Sequence, residues 1–341
     1  MDLAVIWFIA ISVLWIGYFV LEGFDFGVGT LLPFMGKRDS VDRRVAINAI
    51  GPVWDANEVW LLTAGGAMFA AFPAWYASLF SGFYLPLFLI LIALILRGVA
   101  FEYRGKRDSS TWRLWWDRAI FFGSAAPALL WGVAFANIVR GVAMDADHIV
   151  TASLLDLLNP YALLGGLTTL SLYTLHGAVF LSLKTDGPVR ARARAAALRV
   201  ACVAVPAGAG FLLWTQLAHG QVWTWPLVAL AALTLVGGVA AAWARREGPA
   251  FGLMVVTIIA AVVTLFGSLF PNVLPSTIDP AFSLTVENAS SADYTLTIMT
   301  WVAVVFLPLV LLYQGWSYWV FRKRVTGATV TGETVTQGAD S

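Results

Sequence analysis

The chain has 341 residues, of which 60% are apolar and 12% are charged, whereas soluble domains carry roughly 25% charged residues. Its apolar residues come in long blocks, which excludes a soluble enzyme, a disordered chain and a nucleic-acid-binding protein. The formal net charge is +1, so only the distribution of charge along the chain is informative. A single cysteine, Cys202, excludes an internal disulfide, a CxxC redox pair and a cysteine metal cage.

Nine apolar stretches predict an all-α integral membrane protein. A bilayer core of about 30 Å needs about 20 consecutive apolar residues in a helix. The nine stretches cover residues 3–34, 49–72, 78–101, 117–139, 160–183, 196–217, 223–244, 250–270 and 294–321. The first has no basic start and no small-residue cleavage site, so we interpret it as a retained helix rather than a signal peptide.

The loops between these spans predict the orientation, because Lys and Arg favour the cytoplasmic side of short loops. Twenty of the 21 basic residues fall in alternate loops, at the adjoining helix ends or after the last span, and only Arg140 lies on the other side. The N-terminus is therefore expected outside and the C-terminus in the cytoplasm. Residues 1–324 form one multi-spanning membrane domain in this interpretation, and the Thr- and Gly-rich residues 325–341 form a disordered tail.

Five ionisable side chains occur in the first three spans, where such groups cost several kcal/mol on insertion scales. They are Glu22, Asp25, Asp55, Glu58 and Arg97. The predicted topology brings all five to the cytoplasmic side, and acids three residues apart share one helix face. Clustered carboxylates in a low dielectric exchange protons, so the pattern is that of a proton relay in which Arg97 holds one carboxylate ionised.

A purely structural interpretation remains open for the same residues. Acids in a first helical turn are stabilised by the helix dipole alone, and Arg97 could extend its charge to the membrane surface. Trp54 and Trp60 fit an aromatic belt at the interface. His176 is the only histidine inside a predicted span, which favours a core histidine over a haem ligand, and no metal site is predicted.

Several motifs resemble subunit II of the cytochrome bd-type quinol oxidases. The most specific are GFDFGVG in the first span and the WDANEVWLLTAGGAMFAA run in the second. The matching segments are Leu21–Gly29, Gly51–Ala71, Ser81–Tyr84, Phe270–Ser276, Asn288–Ser291 and Met299–Ala303. The resemblance extends from the first span to Trp319, with the middle spans matching mainly in pattern.

The resemblance implies a heterodimer in the bacterial cytoplasmic (inner) membrane. In that family, subunit I binds the quinol and the haems, which are b-type and d-type, and quinol oxidation reduces dioxygen to water and builds a proton gradient. The chain itself would ligate no haem and catalyse nothing alone. Expected partners are subunit I, small single-helix accessory subunits, quinol or quinone, and lipids, with a quinone bound in this subunit in some members.

The resemblance also implies roles for individual residues. Asp55 matches an aspartate that lines a proton-uptake path, and Trp60 a tryptophan near an oxygen-entry path. Asp25 and Arg97 match a supporting polar cluster, and Trp54 is a candidate quinone contact.

Glu58 occupies a motif position that is Gln in some relatives, which puts an invariant proton role for Glu58 in doubt.

Two other functions stay open at this point. One alternative is a proton-coupled secondary transporter that uses the acid cluster for coupling, although no inverted repeat is found. The other is a structural partner subunit through which nothing is carried.

Overall fold

The computed structural model describes residues 2–331, and most of them lie in α-helices. The helices are α1 (Leu3–Leu31), α2 (Val41–Ile50), α3 (Trp54–Ala71), α4 (Pro73–Gly82), α5 (Tyr84–Tyr103), α6 (Ser110–Arg140), α7 (Pro160–Lys184), α8 (Gly187–Ala218), α9 (Trp225–Trp243), α10 (Glu247–Leu269), α11 (Asp293–Val320) and α12 (Gly327–Thr331). Two short antiparallel strands, β1 (Asn272–Leu274) and β2 (Leu284–Thr285), pair in the loop before α11.

Eight of the helices in residues 2–331 are long and apolar enough to cross a membrane, which confirms an all-α membrane protein. They are α1 and α5 to α11. The second predicted span is helical as α3 but is not among the eight, because Asp55, Asn57 and Glu58 lower its mean hydropathy. The count of nine spans and the orientation of the termini stay predictions.

The third predicted span is divided in the structure. Residues 78–101 fall in the second half of α4 and most of α5, and the two helices meet at Phe83. A second break separates α3 from α4 at Phe72, since Pro73 occupies the first turn of α4, where its missing N–H is tolerated. The first predicted span, residues 3–34, agrees with the structure: α1 ends at Leu31, a 3-10 turn continues to Phe34, and the short helix α2 follows.

Helix α1 lies at the centre of the bundle and packs on α3, α6, α7 and α10. Its aromatic side chains interlock with α6, where the Trp15 ring lies 5.0 Å from that of Trp131. Against α7 the two backbones touch: a Cβ atom on Gly27 would overlap the Tyr173 carbonyl and lie 2.8 Å from the Gly177 Cα. The acids of α1 are therefore held on a helix that is surrounded by other helices on several sides.

The two long loops at the predicted outer side are joined to each other and to the bundle. The Thr277 N–H donates to the Val142 carbonyl at 2.9 Å, and the Ser291 N–H donates to the Ala71 carbonyl at 2.8 Å. The second bond satisfies the end of α3 beside its break with α4. These loops are thus ordered caps over this end of the bundle.

At the opposite end, the chain beyond Arg324 is in contact with the bundle as far as it is described. The Val325 N–H donates to the Lys184 carbonyl at 2.8 Å, and α12 packs on α2, where Arg44 donates to the Val330 carbonyl. The tail that was predicted to be disordered therefore begins with an ordered segment, residues 325–331. Residues 332–341 lie outside the described residues, and for them disorder stays a prediction.

Candidate functional site

A group of charged side chains lies fully buried where α1, α3 and α5 meet. Glu22 of α1 and Arg97 of α5 are both 0% exposed and form an ion pair. Arg97 Nη2 also lies 3.7 Å from Glu58 Oε2 of α3, and the guanidinium carbon lies 4.7 Å from the centre of the Phe26 ring. A charge so far from water is tolerated only when it is paired, so these contacts are what keeps Arg97 inside the bundle.

Asp25 of α1 joins this group through an amide. Asn57 Nδ2 of α3 donates to Asp25 Oδ2 at 2.7 Å, and both residues are 0% exposed. The Tyr318 hydroxyl of α11 donates to Asn57 Oδ1 at 2.7 Å. Since that oxygen is engaged by a donor, the Asn57 amide presents its N–H groups to Asp25. The result is a directed chain of hydrogen bonds from α11 through α3 to α1.

Gln314 ties the same network to Trp60. Its Nε2 donates to Asn57 Oδ1 at 3.4 Å, and its Oε1 accepts a hydrogen bond of 2.8 Å from Trp60 Nε1. The Trp60 ring lies against α1 at Gly17, where any Cβ atom would overlap it. Trp60 is therefore fixed by contacts on both sides, and its indole N–H points into the polar network.

Several polar atoms of the cluster have no hydrogen-bond partner among the described residues. They are Glu22 Oε2, Asp25 Oδ1, Arg97 Nε and Arg97 Nη1, all of them buried. Buried polar atoms are normally satisfied by protein groups or by ordered water. Glu22 Oε2 and Asp25 Oδ1 are thus free to accept hydrogen bonds, and the two Arg97 nitrogens are free to donate them, with ordered water as the natural partner.

Asp55 lies apart from this group. Its side chain is exposed on α3, one turn before Glu58, and forms no ion pair or hydrogen bond with the described residues. Four of the five predicted residues are therefore brought together, and Asp55 lies at the edge of the cluster on the surface of the chain.

Trp54, the candidate quinone contact, and His176, expected to be a core histidine, both pack against aromatic side chains. Trp54 is half-buried, and its ring lies 5.1 Å from that of Phe101. His176 is 0% exposed; its Nε2 lies 3.1 Å from the Val20 carbonyl oxygen, and its ring stacks on Phe251. In residues 2–331, no group of three or more His, Cys, Asp or Glu side chains is arranged to hold a metal ion.

Sequence reasoning missed three residues of the network: Asn57 as a bridge, Gln314 and Tyr318. The indication available in the sequence was Gln314, a lone amide in the apolar span α11, with Tyr318 four residues later on the same helix face. What the spacing did not provide was the position of α11 beside α1 and α3, because those helices are far apart in the chain.

A second buried ion group lies near α2. Asp117 of α6 pairs with Arg43 at 2.8 Å and with Arg104 at 2.6 Å, and all three residues are buried. Arg43 also donates to the Pro33 and Gly36 carbonyls, so this group fastens the connection between α1 and α2 to α6.

An apolar cavity of about 560 Å³ lies beside the cluster, between α3, α4 and α5. It reaches inward to Trp15 and Trp131 of the central bundle, and Leu61, next to Trp60, forms part of its wall. Gly65 and Gly66 also line it, and neither has another group within 4 Å of an added Cβ position. The cavity is suited to small apolar molecules or apolar side chains.

Comparison with known proteins gives consistent matches over almost the whole chain. Residues 3–321 match the family described as cytochrome bd terminal oxidase subunit II. The chain is 44% identical over 329 residues to cytochrome bd ubiquinol oxidase subunit 2 of Bacillus subtilis (strain 168), covering 94% of this chain and 96% of that protein. It is 36% identical over 359 residues to cytochrome bd-I ubiquinol oxidase subunit 2 of Escherichia coli (strain K12), covering 94% of each.

Among solved structures, the fold is similar to a chain of the bd oxidase from Geobacillus thermodenitrificans. The TM-score is 0.77 at 19% sequence identity, covering 95% of this chain and 100% of that one. At this identity, the similarity concerns the fold alone.

Proposed function

The chain belongs to the cytochrome bd terminal oxidase subunit II family, and we propose that it conducts protons from the cytoplasmic side toward its haem-bearing partner. It is a multi-pass membrane subunit of a quinol oxidase, an oxidoreductase whose haems are associated with the partner subunit. When bound, those haems transfer the electrons of quinol to dioxygen. The observation that carries the proposal is the fully buried group of Glu22, Asp25 and Arg97 inside otherwise apolar helices.

The proposed path begins at Asp55 and enters the bundle through Glu58. Asp55 is exposed, the Glu58 side chain is 21% exposed, and Glu22 is fully buried, so the three acids form a series of increasing depth. Arg97 Nη2 contacts both Glu58 and Glu22 and holds their carboxylates near each other. Because the Glu22 and Glu58 carboxylates share one guanidinium and Asp25 joins them through Asn57, the cluster can bind protons without leaving an uncompensated positive charge.

We also propose that one face of α3 packs on the haem subunit. Asp55, Val59, Leu62, Gly66 and Phe69 are exposed and recur at helical spacing, so they form a single stripe. An ionisable group facing hydrocarbon is costly, and a partner protein would cover it. Helix α11, only 6% of whose span is buried, offers further apolar surface for the same partner.

Substitution of the acids in the full oxidase complex tests the proton path. Asp55→Asn and Asp25→Asn keep the side-chain shape but remove the exchangeable proton, so we expect quinol oxidase turnover to fall by about tenfold or more with the haem absorption spectrum retained. Glu102→Gln is the matched control, since Glu102 is exposed and lies outside the cluster. Turnover of Asp55→Asn and Asp25→Asn equal to that of the control would remove the proton role.

The roles proposed for the two tryptophans have unequal support. The apolar cavity beside Leu61 supports an oxygen path next to Trp60, although the Trp60 ring itself faces Gly17 and Gln314. Trp54 as a quinone contact, the bound quinone and the accessory subunits remain proposals from the family resemblance. Family membership favours the oxidase subunit over the transporter, and no observation in the described residues supports transport.

A further inference from the structure

An apolar groove of about 410 Å³ runs between α8 and α9, on the side of the bundle away from the charged cluster. Its walls are formed only by apolar side chains of the two helices: Leu198, Val205, Val236, Val239, Ala240 and Trp243. Leu198 and Val205 are seven residues apart, so the groove extends roughly 10 Å along the helix axis at 1.5 Å per residue. The groove therefore has the shape and lining of a site for a hydrocarbon chain.

Basic side chains gather at one end of this groove. Arg199 directly follows Leu198, and Arg245 and Arg246 follow Trp243 by two and three residues. All three arginines are exposed. Within residues 2–331 their side chains take part in no ion pair.

The nearby carboxylate does not neutralise these arginines. Glu247, the residue after Arg246, is 8% exposed and accepts hydrogen bonds from Arg190 and Arg194 of α8. Two arginines already share this one acid. The end of the groove therefore has an excess of positive charge, which favours the binding of an anionic group.

The groove end with its tryptophan and arginines lies at the membrane depth expected for a lipid headgroup. Trp243 is 75% exposed at the end of α9, and exposed tryptophans are enriched where the bilayer meets water. Arginines at that level attract the phosphates of anionic lipids. This end of α8 and α9 is also the end at which the sequence predicts the cytoplasmic leaflet.

We propose that the groove between α8 and α9 binds an anionic phospholipid of the inner leaflet. One acyl chain lies against Leu198, Val236 and Ala240, and the phosphate is held by Arg199, Arg245 and Arg246. A zwitterionic lipid gains the same apolar contacts but less from the arginines. None of these residues belongs to the charged cluster of α1, α3 and α5, so the proposal is independent of the proton path.

The single cysteine of this chain provides a local probe. Cys202 is exposed on α8, between Leu198 and Val205. A fluorophore on Cys202, in an oxidase complex whose partner cysteines are replaced, is quenched by lipids with brominated acyl chains. In bilayers of mixed phosphatidylglycerol and phosphatidylcholine, quenching gives the relative binding constant of the two lipids at this groove. We expect phosphatidylglycerol to bind at least about fivefold more tightly, since one basic residue near an anionic surface contributes about that factor.

Charge variants identify the headgroup contacts. The triple variant Arg199→Gln, Arg245→Gln and Arg246→Gln should bring the relative binding constant close to one. The triple variant Lys37→Gln, Arg38→Gln and Lys106→Gln removes the same charge from exposed residues elsewhere on the predicted cytoplasmic side and should keep the wild-type preference. A wild-type ratio near one, an unchanged ratio in the first variant, or an equal fall in the second would overturn the proposal.

A groove-filling variant tests the chain contact separately. Ala240→Phe places a ring between α8 and α9, so quenching by both brominated lipids should fall together. Unchanged quenching by both lipids would show that the acyl chain does not occupy the groove. Oxidase turnover and haem absorption close to wild type in every variant establish that the complex is intact.

Discussion

Arg97 is the residue on which the buried cluster depends. It is the only cation in contact with the acids of α1 and α3 among the described residues, and its guanidinium has no access to water. Burial of an ion pair stabilises a protein little in itself, because desolvation offsets the attraction, but removal of one partner leaves a buried charge uncompensated. The arginine therefore has a structural role whether or not the acids carry protons.

Arg97→Leu is expected to destabilise the complex by about 3–5 kcal/mol, because it leaves Glu22 buried without a partner. The double variant Arg97→Leu and Glu22→Leu replaces the pair by apolar side chains and should recover much of that loss. Thermal unfolding of the purified complex measures both effects. Arg113→Leu is the matched control: Arg113 pairs with the accessible Asp39 and Asp108, and its loss should change stability little. Equal effects of Arg97→Leu and Arg113→Leu would contradict this account.

Sequence spacing predicted the convergence of Glu22, Glu58 and Arg97 but not the exposure of Asp55. Asp55 and Glu58 share a helix face only approximately, since three residues rotate a helix by about 300° and leave the two side chains about 60° apart. That difference is enough to turn one carboxylate toward Arg97 and the other to the surface. Which of the two points inward depends on the rotation of α3 against α1, and spacing along one helix does not contain that rotation.

At the scale of helices, small residues determine how close the acids come to their neighbours. Gly17 of α1 accommodates the Trp60 ring of α3, and Gly27 accommodates the backbone of α7. Glycines in a membrane span allow neighbouring helices to approach closely. The partners were not predictable, because each contact joins residues that are more than 40 positions apart in the chain.

Gly27→Ala is expected to prevent assembly of the oxidase or to reduce it severely. The added methyl group would overlap the Tyr173 carbonyl and the Gly177 backbone, neither of which can move aside without separating α1 from α7. Gly252→Ala is the control, because nothing lies within 4 Å of an added Cβ atom at that glycine of α10. The yield of haem-containing complex after detergent extraction measures both, and normal assembly of Gly27→Ala would show that the contact between α1 and α7 is not required.

The breaks between helices show a limit of hydropathy patterns, which do not reveal every helix end. A continuous apolar pattern predicted one span over residues 78–101, whereas the chain turns at Phe83. The second break, at Phe72, coincides with the predicted end of the second span. Pro73 marked the second break in the sequence. The first break lies between Gly82, the last residue of α4, and Pro86, in the first turn of α5, and both residue types favour helix ends.

At the scale of the whole molecule, the proton path and the lipid site both require the basic ends of the helices to face the cytoplasm. Asp55, the proposed entry point for protons, lies at the end of α3 beside α2. The arginines of the α8–α9 groove lie at the same end of the bundle. The distribution of Lys and Arg predicts that this end is cytoplasmic. Reversal of the membrane orientation would turn the proposed proton entry toward the outside.

Reporter fusions determine the orientation directly. A reporter active only in the cytoplasm should be active when it is fused after Arg324 and inactive when it is fused after Asp147, which lies in the cap loop between α6 and α7. A reporter active only outside the membrane should give the opposite pattern at the same two positions, which controls for expression and folding. If the fusion after Arg324 is active outside, the orientation is reversed. The acids of α1 and α3 would then take protons from the side opposite to the one that builds a proton gradient.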